Sequence, residues 1–182
     1  MQPKDTGIRE EKADRHPLSR LSAQSHRASQ VSDLLEALAD DLPRRNAPIW
    51  REARRLCDAV LRLHYKTMSD ILIPHLLDRM SQETEFQDML SRLRKDYDEE
   101  ASRLLDLHDL ITEALASGYD SIAPDALGYA LRSYFEAARR HINWETEVLF
   151  PMARRKLNLQ DLQEIDRDLS NLGTAGLEAT VA

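Results

Sequence analysis

Apolar residues recur at three- and four-residue intervals along most of this chain, and proline and glycine cut the recurrence into four long stretches. Pro17 suits a first helical turn, Val31, Leu34, Leu35, Leu38 and Leu42 share one stripe, and Pro43 stops it, which predicts a helix over 17–42. After the linker RRNAP, a stripe of Leu56, Val60, His64, Met68, Ile71, His75 and Asp78 predicts a second helix over 48–80. Ser81 caps a third, 82–117, whose stripe is Leu90, Leu93, Tyr97, Glu100 or Ala101, Leu104, His108, Ile111 and Leu115, with Gly118 as its stop. Pro124 opens a fourth, 124–157, with Leu127, Leu131, Tyr134, Ala138, His141, Glu145, Val148 and Met152 facing inward. No alternating strand pattern occurs. Four helices with short connections predict an all-α, up-down-up-down antiparallel four-helix bundle over 17–157. Residues 1–16 are polar and aperiodic and read as a disordered arm. Residues 158–182 read as a short C-terminal helix, Leu159 to Leu169, and a tail frayed from Gly173.

Two of these stripes carry the same unusual polar residues. HYKTMSDILIP (His64 to Pro74) and HINWETEVLFP (His141 to Pro151) each open on a histidine, place an acid seventh, and close on a proline. The fifth place separates them: Glu145 in one, Met68 in the other. A histidine and a glutamate four apart share a helix face and can grip one metal ion, and two such pairs on facing helices can hold two. The bland alternative is a buried His141–Glu145 hydrogen bond, or Glu145 paired with an arginine. Met68 cannot stand in for a bridging carboxylate, because its thioether is soft where iron and manganese sites of this kind want oxygen and imidazole.

Counting residues from the helix ends puts His26, His64, Tyr97 and His141 at similar heights, within about a turn at ~1.5 Å per residue. Tyr97 reads as a packing residue with a bonded hydroxyl, or more sharply as a phenolate ligand to ferric iron. His26 has the right height but lies about 130° from the apolar stripe at ~100° per residue, with Gln24, Arg27 and Ala28 better aligned. Glu100 could supply the oxygen that Met68 lacks, yet within the run DYDEE it reads as a solvent-edge acid. His75 and His108 fall far from that height and read as packing or capping residues, as do Trp50 and Trp144, while His16 reads as exposed. Pro74 and Pro151 should each disturb their helix and free the carbonyl four residues back.

Composition narrows the function classes. The 182 residues are 42% hydrophobic and 31% charged with only 5 glycines, which suits one helical domain. A formal charge of -7 argues against nucleic acid as a partner. Cys57 stands alone, so no intrachain disulfide forms. No apolar run approaches the ~20 residues of a membrane span, and no apolar signal region precedes the helices, so the cytoplasm is the expected compartment. Phosphate-loop and nucleophile motifs are missing, and neither an open metal position nor an access channel is legible, so the sequence gives no support to an enzyme.

HINWETEVLFPMARRKL resembles the last helix of the hemerythrin-like, or HHE cation-binding, family, where His-x-x-x-Glu precedes an apolar run and a proline. LRLHYKTMSDILIPHL resembles the second helix of that family, RLRKDYDEEASRLL the third, and SHRASQVSDLLEALADDLP the first; the likeness spans about 18–170. The resemblance implies a four-helix bundle around a non-haem iron site that binds or senses oxygen, nitric oxide or iron. It carries ligand roles onto His64, His141, Glu145 and His26. It departs at Met68, where the family has glutamate, and at Tyr97, where it has histidine. Two neighbouring ions repel, and losing a bridging carboxylate weakens both sites, so a single iron ion, a weak pair or an empty site is expected. The other reading is a metal-free bundle serving as an interaction or regulatory module, with room for a homodimer or a protein partner.

Overall fold

The computed structural model describes residues 16–44, 46–117 and 122–178, with side chains as far as residue 172. Every regular element among the described residues is helical. Helix α1 is Pro17–Asp41. The rod α2 covers 47–79 in abutting segments: Ala47–Leu56, Cys57–Arg62, Leu63–Thr67, Met68–Leu72 and Ile73–Arg79. Helix α3 is Thr84–Ser117, α4 covers 124–156 as Pro124–Trp144, Glu145–Leu149 and Phe150–Lys156, and α5 is Leu159–Glu178. The long helices keep to the limits set by Pro17, Pro43 and Pro124, because these prolines fix where a helix can begin or continue. Apart from His16, the arm expected over 1–16 lies outside the described residues.

Helix α5 departs from expectation: it continues past Leu169 to Glu178. Its Ile165 and Leu169 are buried in the same core as the long helices. Arg20 on α1 reaches Asp166 at 2.5 Å and His75 on α2 reaches Asp168 at 3.0 Å. Tertiary packing of one face sustains a helix that local propensity alone would leave marginal. The pair α1 and α4 is tied along its outer edge by Arg139, whose guanidinium donates to Asp33 and Glu36, both at 2.6 Å.

Three stretches of wider, π-type turn interrupt the rods, at Cys57–Arg62, Met68–Leu72 and Glu145–Leu149. The last two occupy equivalent places in the two eleven-residue segments, each beginning at the fifth residue. The N–H of Ile73 bonds the Met68 carbonyl, and the N–H of Phe150 bonds the Glu145 carbonyl. The cause is the proline that follows: it has no N–H to give, and its ring crowds the carbonyl four residues back. A wider turn just ahead absorbs that conflict. It also moves the inward stripe on by one residue. Val148, expected inside, is 37% exposed, and Leu149 is fully buried in its place. On α2 the same shift leaves Asp78 exposed and buries Leu76 and Met80.

Candidate functional site

Three of the four long helices each give one hydrogen bond to a single buried carboxylate carried by the fourth. Glu145 on α4 receives the Tyr97 hydroxyl of α3 at 2.6 Å and the His64 Nε2 of α2 at 2.9 Å, both on Oε1. Its Oε2 receives the Ser25 hydroxyl of α1 at 2.5 Å. None of the four is more than 2% exposed. Glu145 is the first residue of the π-turn, and Tyr97 and His64 sit mid-helix where the stripes face the interior.

The electrostatics follow from this crowding. An unpaired carboxylate in a dry interior is costly, and charge-assisted hydrogen bonds offset the cost. Burial alone would raise the Glu145 carboxyl, but the His64 ring and the bonds from His64, Ser25 and Tyr97 outweigh it and hold the acid below the usual carboxylate range. Burial, and then the Glu145 charge, push the Tyr97 phenol well above its ordinary value, so it keeps its proton and donates it. With Glu145 ionised, His64 Nε2 is the donating nitrogen. Its Nδ1 is buried with no hydrogen-bond partner among the described residues.

The sequence-derived candidates separate here. His64, Tyr97 and Glu145 come together. His141, one turn before Glu145, stays out of that network: it is partly exposed, its ring centroid lies 5.6 Å from that of Tyr97, and its Nδ1 is unpartnered. His26 is a correction. It is exposed and lies 3.4 Å from Gln30, because its position on α1 faces away from the apolar stripe. The inward place belongs to Ser25, which sequence reasoning missed. Stepping back from Leu35 by seven and then three residues gives Ala28 and Ser25, and that spacing was the available signal. Glu100 is a second correction: it is 2% exposed, not a solvent-edge acid. Its Oε1 holds Arg103 at 2.7 Å and its Oε2 has no partner, so burial raises its pKa even against Arg103, His141 and Arg140. Met68 is fully buried and brings no oxygen. His75 bonds Asp168, and His108 pairs with Asp58 at 3.0 Å, both away from the layer.

This donor set does not fit two ions. Among the described residues no three of His, Cys, Asp and Glu stand together at metal-binding spacing. Met68, Ser25 and Tyr97 bring a thioether and two hydroxyls to this part of the interior, and none of these is a bridging carboxylate. One ion is a different matter: the imidazole of His64, the carboxylate of Glu145 and the hydroxyl of Tyr97 form a hard nitrogen and oxygen set of the kind that suits iron or manganese.

Fold and site define an all-helical protein organised around a buried histidine–carboxylate centre. The chain belongs to the hemerythrin family: the model of the hemerythrin HHE cation binding domain matches residues 16–167. Domains of this type bind metal ions, usually iron. No curated protein and no solved structure matches the chain. No helix among the described residues is long and apolar enough to cross a membrane.

Proposed function

We propose that this chain is an altered hemerythrin-like protein that takes one iron ion and serves as a sensor of, or protectant against, oxygen, nitric oxide or iron stress. The four long helices are read as an up-down-up-down bundle, as the short connections at 42–46 and 80–83 favour. The observation that carries the proposal is the meeting of a nitrogen and two oxygens, from three helices, at one dry point on the Glu145 carboxylate. His64, Glu145 and Tyr97 would hold the ion. Bound there, iron would supply a redox-active Lewis acid. Met68 leaves the second metal place without its bridging carboxylate, which is why the proposal is limited to one ion.

The protein's own side chains do the rest. Ser25 holds the far oxygen of Glu145 and fixes the plane of the carboxylate. Burial of all four polar side chains keeps water away from them. Because Tyr97 gives up its proton reluctantly, a strongly acidic ion such as ferric iron is favoured over a weaker one. Protein purified without a histidine tag should carry up to one iron by elemental analysis, and Glu145→Ala should release it. A phenolate-to-iron band in the visible should disappear in Tyr97→Phe. Metal content that survives Glu145→Ala would refute the assignment.

A second reading has a specific observation behind it. A metal-bound imidazole almost always donates its other N–H to an acceptor. His64 Nδ1 has none among the described residues, and Glu145 already receives three hydrogen bonds. On this reading three protons do the work of the cation, and the bundle is a metal-free interaction or regulatory module. A melting temperature indifferent to chelator and to added iron selects it, since a ligand that binds only the folded state must stabilise that state.

A further inference from the structure

A cavity of about 330 Å³ opens where α1, α2 and α5 meet. Helix α1 lines it with Arg20, Ala23, Gln24 and Arg27, whose three- and four-residue spacing puts them on one face. Leu63 of α2 and Leu169 and Leu172 of α5 supply an aliphatic wall. Among the described residues no acid lines the cavity, although the chain as a whole carries a formal charge of -7. A cleft lined by one sign of charge concentrates ions of the other.

We propose that this cavity binds a small aliphatic carboxylate of about the size of octanoate, with its charged end on Arg27 and its chain against the leucines. Only the Nε of Arg27 is engaged, on the Ala23 carbonyl at 3.4 Å, and the two ends of its guanidinium fork have no partner among the described residues. That fork matches the two oxygens of a carboxylate. Beside it, Gln24 Oε1 is buried with no hydrogen-bond partner. A terminal amide turned over places its NH2 there instead, as a further donor to the bound oxygens. The Thr67 hydroxyl is already given to the Leu63 carbonyl at 2.7 Å, so the arginines and Gln24 are the available donors.

Charge and shape narrow the ligand. Asp166 holds Arg20 at 2.5 Å and neutralises it, which leaves one guanidinium to balance. A single negative charge answers it better than the nearly double charge of a phosphate ester. At ~30 Å³ per water, the cavity has room for about ten non-hydrogen atoms, and it falls at the small end of ligand pockets, which run about 300–1,000 Å³. No aromatic side chain among the described residues lines it, so a flexible chain suits it better than a flat ring. Ser25, next along α1, is turned the other way onto Glu145, so the site is separate from the buried layer and independent of whether that layer takes iron.

The test is a calorimetric titration of the full chain with octanoate, and with acetate, inorganic phosphate and octanol as comparators. One octanoate should bind per chain. Each comparator lacks either the chain or the carboxylate and should bind about tenfold more weakly or worse. Arg27→Gln should weaken octanoate about tenfold, as the loss of a charge-assisted hydrogen bond does. Ala23→Phe, at an exposed position, should fill the space and abolish binding without lowering the melting temperature. Chelator should change nothing. Failure of octanoate to bind would overturn the proposal, as would acetate, phosphate or octanol binding equally tightly. Binding that survives both Arg27→Gln and Ala23→Phe would do the same. Binding lost on adding chelator would put the acid on a metal in the buried layer, and so would also overturn it.

Discussion

The segments His64 to Pro74 and His141 to Pro151 share a backbone and divide a chemistry. Both pass through a π-turn that starts at the fifth residue, and both close it with an N–H bonding the carbonyl five residues back. Yet at that fifth residue one presents a thioether and the other a carboxylate. The opening histidines differ too. His64 is buried and bonded to Glu145 across the bundle, whereas His141 sits partly exposed. The proline dictates the shape of each segment whatever precedes it, so equal geometry carries no promise of equal ligands. The polar layer is built from one residue of the first segment and one of the second, joined by Tyr97 and Ser25.

Six substitutions test that contrast. Glu145→Ala should be the most damaging. It strips the acceptor from three buried donors, and breaking a buried charged network costs about 3–5 kcal/mol, readable as a shift in the denaturant midpoint. Acid should produce a milder form of the same loss. The Glu145 pKa is lowered in the fold, so its stabilisation is complete above the ordinary value of 4.5 and drains away as the pH falls through the lower, folded value. Glu145→Gln should flatten that acid limb.

Met68→Glu makes the first segment match the second. In metal-free buffer the added buried carboxylate should destabilise the protein by several kcal/mol, and added iron should recover part of the loss. Iron stoichiometry should rise above that of the wild type, measured by elemental analysis. No rise would mean that Ser25 and Tyr97, and not Met68, limit the number of ions.

Tyr97→Phe keeps the ring and removes one charge-assisted bond, for an expected loss of about 1.5–3 kcal/mol in chemical denaturation. Ser25→Ala should cost about 1–2 kcal/mol by the same reasoning, while the neighbouring His26→Ala should stay within about 0.5 kcal/mol, as an exposed position does. Equal effects at 25 and 26 would undo the placement of α1 against the layer.

The helices were legible because proline and the three–four spacing act locally. Pro17, Pro43 and Pro124 mark where helices start or stop, and no packing partner is needed to see them. The site was only partly legible, for a reason of the same kind. His64 and Glu145 are conspicuous because charge and imidazole are rare on an apolar stripe. Ser25 is not: a small hydroxyl is an ordinary helix filler, and its role appears only when α4 is laid beside it. Glu100 was hidden by its acidic neighbours, which made the whole run DYDEE look solvated. The π-turns were missed because a period of 3.6 has no room for them, and they are what turned Val148 outward and Leu149 in.

A carboxylate gripped from three neighbouring helices also works as a ruler. Sliding any one long helix along its axis by one turn, ~5.4 Å, would pull a hydrogen bond of 2.5–2.9 Å past its useful reach. Leucine against leucine tolerates such a slip; a hydroxyl or an imidazole aimed at one oxygen pair does not. The interior thus counts its own alignment, and a misthreaded arrangement of the same greasy surfaces would be left with a bare anion at its centre.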